Sequence, residues 1–251
     1  MQDRSESVRL MHMSFTLRHR MLRSTARLAD ALLPGPCILC GDDATDTGWC
    51  APCWSDIPGR GDARCPVCAL PRPGEGTCGR CLSRPPQFTA TFAAAGYGFP
   101  LDAIVSHFKY GRNLTLAAPL GALLCAGLAH APRPDLLVPV PAARARLVER
   151  GFNQAAELAR IVAREFDLKF DATIARRRDD DPPQASLSLD ARVRNVRGAF
   201  RCTRALDGAR IAIVDDVMTS GATLNALART LLEAGAGEVH CWVVARTPEP
   251  G

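Results

Sequence analysis

The stretch IAIVDDVMTSGATL, residues 211–224, joins four apolar residues to two adjacent acids and then to a small, hydroxyl-rich loop. The apolar run predicts a buried strand over residues 211–214, and Gly221 marks the start of a helix. Residues 219–221 would then form a tight turn at the carboxyl end of the strand, which is where open α/β sheets bind ligands. The stretch therefore predicts a ligand site built on one strand, one turn and one helix.

The polar residues of this stretch indicate which ligand it binds. Backbone N–H groups at the start of the helix, together with the hydroxyls of Thr219, Ser220 and Thr223, suit a phosphate group. That phosphate would repel Asp215 and Asp216, but each carboxylate can accept a hydrogen bond from a ribose hydroxyl. The pattern predicts a ribose 5-phosphate ligand. The alternative is an ordinary capped helix that follows an aspartate turn.

Apolar strands and helices alternate along the chain after the cysteine-rich region. The pattern predicts strands over residues 89–95, 136–140, 211–214 and 239–245, and helices over residues 101–110, 114–130, 153–166 and 222–234. Pro119 should break or start the second helix, Asn153 should cap the third, and Gly235 should end the fourth. Because the strands are continuous apolar runs, we expect an α/β fold whose mostly parallel sheet carries helices on both faces. We also expect an amphipathic helix over residues 14–33 and a polar segment over residues 176–190.

Eight of the eleven cysteines form four C-x-x-C pairs, namely Cys37/Cys40, Cys50/Cys53, Cys65/Cys68 and Cys78/Cys81. Nine residues separate the first pair from the second, and nine separate the third from the fourth. Two such pairs can direct four thiolates at one Zn²⁺, about 2.3 Å from each sulfur, and metal binding then supplies the folding free energy that a sparse core lacks. We expect two closed, structural zinc sites made from sequential pairs. The alternatives are a crossed pairing of the C-x-x-C motifs, a single occupied zinc site, or disulfides. The other three cysteines, Cys125, Cys202 and Cys241, are predicted to be small buried hydrophobic residues.

These motifs resemble those of known proteins. Residues 211–224 resemble the phosphoribosyl-pyrophosphate (PRPP) motif of the type I phosphoribosyltransferases. The wider chain resembles the ComF family in VPVPAARARLVERGFNQAAELAR at residues 138–160, in HFKYG at residues 107–111, and in Gln184, Leu187, Arg192, Asn195, Ala199 and Phe200. One departure is the acidic run at residues 179–181, where relatives are expected to carry a small polar or basic residue. The ComF family has a double zinc ribbon followed by a phosphoribosyltransferase-like domain, and the composition of this chain changes near residue 90. The resemblance therefore implies a leader with an amphipathic helix over residues 1–33, a double zinc ribbon over residues 34–87 and a phosphoribosyltransferase-like domain over residues 88–251.

The resemblance implies roles for individual residues, although it points to no catalytic residue. Asp215 and Asp216 would hold the ribose and residues 219–223 the 5-phosphate. The full set implied for PRPP binding is Asp215, Asp216, Val217, Met218, Thr219, Ser220, Gly221, Ala222 and Thr223. The set implied for the pyrophosphate is Arg144 and Arg146, in the turn after VPVP, with Lys109 and Arg150 as weaker candidates that could equally be solvated surface charges. Mg²⁺ would bind with PRPP by bridging pyrophosphate and sugar oxygens, two Zn²⁺ ions would be structural, and residues 176–178 would open a mobile lid or an ordinary loop.

Two functions of different class follow from the resemblance. In the first, the chain is an accessory protein of DNA uptake or utilisation, as in natural transformation and competence, which binds PRPP and contacts single-stranded DNA and the uptake machinery. The zinc ribbons favour it, as do the arginines at Arg192, Arg194, Arg197, Arg201 and Arg204. In the second, the chain is an Mg-dependent phosphoribosyltransferase, a glycosyltransferase that moves ribose 5-phosphate from PRPP to an unidentified acceptor. The net charge of +5 permits either function. With no secretory-signal pattern and no apolar run of the roughly 18 residues that a membrane span needs, we expect a cytoplasmic protein.

Overall fold

The computed structural model of the chain describes residues 35–177 and 198–249. Two compact units form, one ending at Ser55 and one beginning at Asp56. The amphipathic helix expected over residues 14–33 lies outside the described residues, as do the acidic run at residues 179–181 and the side chains of Arg178, Gln184, Leu187, Arg192, Arg194, Asn195 and Arg197. No helix in the described ranges has both the length and the apolar character needed to cross a membrane.

The smaller unit contains one short helix, α1 (Ala51–Ser55), among its described residues. The larger unit contains, in chain order, α2 (Gly79–Ser83), β1 (Ala90–Gly96), α3 (Leu101–Tyr110), a 3-10 turn (Leu114–Leu116), α4 (Ala117–Gly127), β2 (Leu136–Pro139), α5 (Arg144–Arg150), α6 (Gln154–Phe166), β3 (Ala175–Arg177), β4 (Phe200–Cys202), β5 (Arg210–Met218), α7 (Ala222–Glu233) and β6 (Glu238–Arg246). The second group of cysteines therefore belongs to the same unit as the main strands.

The main sheet has the strand order β1-β6-β5-β2, and all neighbouring strands are parallel. Beyond β2, Phe170 forms a further parallel bridge with Leu137. The connections from β1 to β2 and from β2 to Phe170 therefore advance toward the β2 edge of the sheet. The connection from β5 to β6 runs in the opposite direction, toward β1. Because such crossovers are right-handed, α4 and α6 lie together on one face and α7 lies on the other. The predicted parallel sheet with helices on both faces is confirmed.

This topology creates a crevice between β2 and β5. The two strands are neighbours, but the connection that leaves β2 runs outward while the one that leaves β5 runs toward β6. The carboxyl ends of β2 and β5 therefore border the point where the strand order reverses, which is where open α/β sheets bind their ligands. The segment after Pro139 and the segment around Asp215 meet at this point.

Most of the elements predicted from periodicity are confirmed. The helix predicted over residues 101–110 has those bounds, and the side chain of Asn153 caps α6 by accepting the Ala155 N–H at 3.1 Å. The helix predicted over residues 114–130 differs, because a 3-10 turn precedes α4 and the helix ends at Gly127. Pro119 lies in the first turn of α4, where its missing N–H leaves no intrahelical bond unmade.

Four other features differ from the prediction. The strand β5 continues to Met218, so the two aspartates lie inside it rather than after it. Residues 144–150 form α5 where a turn was expected, and β3 pairs with β4 in an antiparallel hairpin that the polar composition near residue 176 did not indicate. Cys241 is buried as predicted, but the prediction is wrong for Cys125 and Cys202, which are half-buried.

Candidate functional site

A lysine from α3 neutralises one of the two aspartates of β5. The Nζ of Lys109 lies 2.8 Å from Oδ1 of Asp216, and their side chains are 22% and 8% exposed. Burial opposes the charge on Lys109, but attraction from Asp216 and then from Asp215 outweighs it, and the pKa of Lys109 is raised. Lys109 is therefore a half-buried ion-pair partner of the acidic pair and not a solvated surface charge.

The other aspartate of the pair, Asp215, has a carboxyl group whose pKa is strongly shifted. Burial, followed by repulsion from Asp216, raises its pKa from 3.8 to about 7, although the charge of Lys109 acts in the opposite direction. Its Oδ1 accepts the backbone N–H of Asp216 at 2.9 Å. Once Asp215 ionises, at about pH 7 and above, the two carboxylates near one lysine carry a net negative charge, which favours hydroxyl donors or a divalent cation as their ligand.

This perturbed carboxyl predicts a pH-dependent difference between Asp215→Asn and the parent chain. The folded-state pKa lies above the ordinary value, so the folded chain binds more protons than the unfolded chain between about pH 4 and about pH 7. The contribution of Asp215 to the free energy of unfolding is therefore fully present at low pH and is lost as the pH rises through that window. We expect Asp215→Asn to match the parent at about pH 4 and to be the more stable chain above about pH 7.

Urea unfolding of both chains across a pH series measures this difference, because other titrating groups cancel in the comparison. A stability difference that stays constant over the window would contradict the raised pKa of Asp215.

The loop between β5 and α7 presents unpaired backbone N–H groups. Gly221 has a φ of +78°, a left-handed conformation that glycine adopts readily, and a Cβ there would lie 2.6 Å from Cε of Met218. The Oγ of Ser220 accepts the N–H of Ala222 at 3.3 Å. Within the described residues, no acceptor takes the N–H groups of Ser220, Gly221, Thr223 or Leu224. These donors are available to an anion.

A buried arginine at the end of β6 fixes the orientation of this loop. The Nη1 of Arg246 donates to the carbonyl oxygens of Met218 at 3.0 Å and Thr247 at 2.7 Å, and also to that of Thr219, while its Nε donates to the carbonyl of Cys68 at 2.8 Å. Burial lowers the pKa of Arg246. In a trans peptide the C=O and the following N–H point in opposite directions, so the carbonyls of Met218 and Thr219 turn inward and the N–H groups after them turn outward.

A second buried arginine is connected to Lys109 through a glutamine. The Nη1 of Arg150 donates to Oε1 of Gln154 at 3.3 Å, and Nε2 of Gln154 donates to the backbone carbonyl of Lys109 at 3.5 Å. The guanidinium of Arg150 also lies 4.9 Å from the ring centre of Tyr110. Arg150 is 7% exposed, its Nε has no hydrogen-bond partner, and it forms no ion pair with a described carboxylate. It is a buried cation rather than a surface charge.

The remaining residues implied for PRPP or pyrophosphate are more accessible. Arg144 and Arg146 are exposed at the start of α5, on the connection that leaves β2, and neither pairs with another side chain in the part of the chain that the structure describes. Thr219 is exposed, Met218 is buried, and a half-buried group comprises Val217, Ser220, Gly221, Ala222 and Thr223. Lys109 is therefore in direct contact with Asp216, whereas Arg144 and Arg146 pair with neither aspartate.

The cysteines gather into two groups of four. One is Cys37, Cys40, Cys50 and Cys53, the other is Cys65, Cys68, Cys78 and Cys81, and the sulfurs of each group lie within 4.8 Å of one another. The Sγ atoms of Cys40 and Cys50 are 3.6 Å apart, as are those of Cys68 and Cys78, close to the spacing of about 3.8 Å around a tetrahedral zinc. Burial acts to raise the pKa of Cys37 and of Cys65. Hydrogen bonds from backbone N–H groups act in the opposite direction and outweigh it, so both pKa values are lowered to about 6. The donor sets fit Zn²⁺, and the sequential pairing is confirmed.

Comparison with known proteins assigns a family to this architecture. A double zinc ribbon domain matches residues 28–82, and a phosphoribosyl transferase domain matches residues 153–251. The chain is 34% identical over 224 residues to the DNA utilization protein YhgH of Escherichia coli (strain K12), and the match covers 86% of this chain and 98% of that protein. The chain belongs to the ComF family. It is also 30% identical over 178 residues to Competence protein F of Haemophilus influenzae, which covers 67% of this chain and 78% of that protein.

Solved structures resemble the ComF chain only slightly. The structure of an allosteric regulatory enzyme of purine biosynthesis aligns with a TM-score of 0.35 and 22% identity, over 49% of this chain and 24% of that chain.

Sequence reasoning missed two members of the site in this ComF chain. Arg246 approaches the loop from β6, and its partners Cys68 and Met218 are 178 and 28 residues away in sequence. Gln154 belongs to the RGFNQ motif, but its link between Arg150 and Lys109 forms only because the end of α3 lies beside the start of α6. The one available signal for Arg246 was an arginine that follows the apolar run of residues 241–245, where a buried charge requires a partner.

Proposed function

We propose that this ComF protein is an accessory protein of DNA uptake or utilisation whose phosphoribosyltransferase-like domain binds PRPP, or a related ribose 5-phosphate, together with Mg²⁺. The observation that carries the proposal is the combination, at the switch point of the sheet, of an acidic pair held by Lys109 with a loop whose N–H groups are unpaired. A ligand that binds both the acidic pair and the loop must carry hydroxyl groups close to a phosphate. The names of the relatives support the DNA-related role.

In the proposed complex the two halves of the site hold different parts of the sugar. Asp215 and Asp216 accept hydrogen bonds from the ribose hydroxyls, and the ion pair with Lys109 holds the Asp216 carboxylate in position. The N–H groups that Arg246 turns outward, with those at the start of α7, donate to the 5-phosphate. Mg²⁺ would supply charge neutralisation between the pyrophosphate and sugar oxygens, because it prefers substrate oxygens and water as ligands.

Arg150 provides a test of where the pyrophosphate binds. A buried cation without a carboxylate partner is costly, and the pyrophosphate of PRPP would supply the missing anion. We expect Arg150→Met to weaken PRPP binding by about tenfold or more, while binding of ribose 5-phosphate, which lacks the pyrophosphate, stays within about twofold. The variant should fold at least as stably as the parent, because Met fills a similar volume without a buried charge.

Isothermal titration of both ligands into both chains measures the difference. Arg160→Met is the matched control, since Arg160 is an exposed arginine on α6 whose ion pair is with its helix neighbour Glu157 and whose guanidinium lies 5.7 Å from the ring centre of Phe170. Equal losses of affinity for PRPP and ribose 5-phosphate in Arg150→Met would argue against contact with the pyrophosphate.

We further propose that the chain contacts single-stranded DNA through its basic residues and zinc ribbons. The support is the net charge of +5 and the arginines in the sequence, of which Arg201 and Arg204 are exposed in the described part of the chain. Binding of an oligonucleotide should weaken steeply as salt rises, because phosphate contacts release counterions. An affinity that does not change with salt would argue against direct contact with the DNA backbone.

The alternative function is transfer of ribose 5-phosphate from PRPP to an acceptor. It is favoured by the charged site itself, since Lys109 and Arg150 could stabilise a departing pyrophosphate. The test is release of pyrophosphate from PRPP in the presence of a panel of acceptors, with the variant carrying both Asp215→Asn and Asp216→Asn as the control. Turnover that disappears in this variant would favour the enzyme, whereas PRPP binding without turnover would favour the accessory protein.

A further inference from the structure

A second cavity lies beside α7, away from the two aspartates. Its volume is about 470 Å³, and its walls are α7, α2 with its neighbouring cysteines, the segment from Arg84 to Phe88, Met218 at the end of β5, and Ser220 and Gly221 of the loop between β5 and α7, which also borders the proposed PRPP site. Neither Asp215 nor Asp216 lines it, nor do Lys109 or Arg150. The volume falls within the range of pockets that hold small ligands, roughly 300–1,000 Å³.

Apart from the zinc-site cysteines Cys68 and Cys81, every ionisable side chain among the described residues that line this cavity is an arginine. The three are Arg80, Arg84 and Arg229, and no acidic side chain contributes to the lining. Arg80 forms an exposed ion pair with Glu249 at 3.3 Å, and Nε of Arg229 lies 3.8 Å from the mostly exposed carboxylate of Glu233. Arg84 forms no ion pair or hydrogen bond through its side chain with any described residue. Arg84 therefore offers the cavity a positive charge that no described carboxylate neutralises.

The rest of the lining combines an apolar wall with amide groups. Pro85, Pro86 and the buried Phe88 form the apolar part. The Oδ1 of Asn225 accepts the backbone N–H of Gln87 at 2.6 Å, which leaves the side-chain NH₂ of Asn225 as a donor. Arginines suit phosphate oxygens, which they can bind with two parallel hydrogen bonds, and a flat apolar surface suits a nucleobase or sugar.

We propose that this cavity binds a nucleoside monophosphate, either free or as the phosphorylated end of a nucleic-acid strand. Arg84 and Arg229 hold the phosphate, Asn225 donates to the sugar or base, and the base lies against the proline and phenylalanine wall. The cavity shares residues 218 and 220–222 with the proposed PRPP site but none of that site's arginines, and binding of the free nucleotide does not depend on the DNA contact proposed above.

The probe is thymidine 3′-phosphate, because it lacks the ribose 5-phosphate that the PRPP site would recognise. Titrated into the full chain, it should bind, and Arg84→Ala and Arg229→Ala should each weaken that binding by about tenfold or more. Thymidine without its phosphate should not bind measurably. Arg160→Ala, which removes the same charge from α6 on the opposite face of the sheet, should leave the affinity unchanged.

Two further measurements distinguish binding in this cavity from binding at the proposed PRPP site. The variant with Asp215→Asn and Asp216→Asn should bind thymidine 3′-phosphate as the parent does, and Arg84→Ala should keep the parent's affinity for ribose 5-phosphate. A short oligothymidylate with a 3′-phosphate that binds more tightly than the free nucleotide would identify the source as a strand end, and equal affinities would identify a free nucleotide. The proposal would be overturned by equal affinity for thymidine 3′-phosphate in Arg84→Ala, Arg229→Ala and the parent, or by loss of that binding in the aspartate variant.

Discussion

Replacing Asp215 and Asp216 together with asparagine should lower the affinity for PRPP by about a hundredfold or more, while the zinc content stays normal. Each asparagine is nearly the same size as the aspartate it replaces. Above about pH 7, where Asp215 is ionised, each substitution removes a charged acceptor from the sugar site, and hydrogen bonds to charged groups contribute about 1.5–3 kcal/mol each. Calorimetric titration of PRPP in Mg²⁺ measures the affinity, and metal analysis of the same sample measures the zinc.

Stability has to be separated from binding in this experiment. Asp216→Asn leaves the half-buried Lys109 without its 2.8 Å partner, which costs stability on its own. Adding Lys109→Met removes the orphaned charge, so the variant with all three substitutions should regain stability without regaining PRPP affinity. If the aspartate variant remained folded and bound PRPP as tightly as the parent, the aspartates would have no role in holding the sugar.

Loss of the second cysteine cluster should destabilise the larger unit much more than loss of the first. The second cluster lies within the unit that contains the main sheet, and Arg246 joins the carbonyl of Cys68 to those of Met218 and Thr219. We expect Cys65→Ser with Cys68→Ser to lower the free energy of unfolding of this unit by about 3 kcal/mol or more, and to weaken PRPP binding through the same contacts.

The first cluster supplies the matched control. Cys37→Ser with Cys40→Ser removes the same number of thiols, but these cysteines belong to the smaller unit. Hydrogen exchange of β5 and β6 should be accelerated in the second-cluster variant and unchanged in the first-cluster variant. Equal acceleration in the two variants, or none in either, would contradict the structural role given to the second cluster.

The local elements of this chain could be predicted from sequence because each has a local cause. Four consecutive apolar residues specify the core of β5, and Asn153 caps α6 with its own side chain. The two cysteine clusters follow from pair spacing, since a C-x-x-C turn already aims both sulfurs at one point.

The candidate site was less predictable because its partners come from separate elements. Lys109 meets Asp216 only when α3 packs against the end of β5, and no local pattern distinguishes it from a surface lysine. The same holds for the burial of Arg150. The hairpin of β3 and β4 was missed for a different reason, because strands of three residues with arginines are too short for a period-two pattern to emerge.

The most direct test of the central claim is calorimetric titration of PRPP, in the presence of Mg²⁺, into the purified full chain. Saturable binding of one PRPP per chain, lost when both aspartates are replaced with asparagine, is the result that the proposed site predicts. The absence of any saturable binding up to about 1 mM PRPP, which corresponds to less than about 4 kcal/mol of binding free energy, would contradict it.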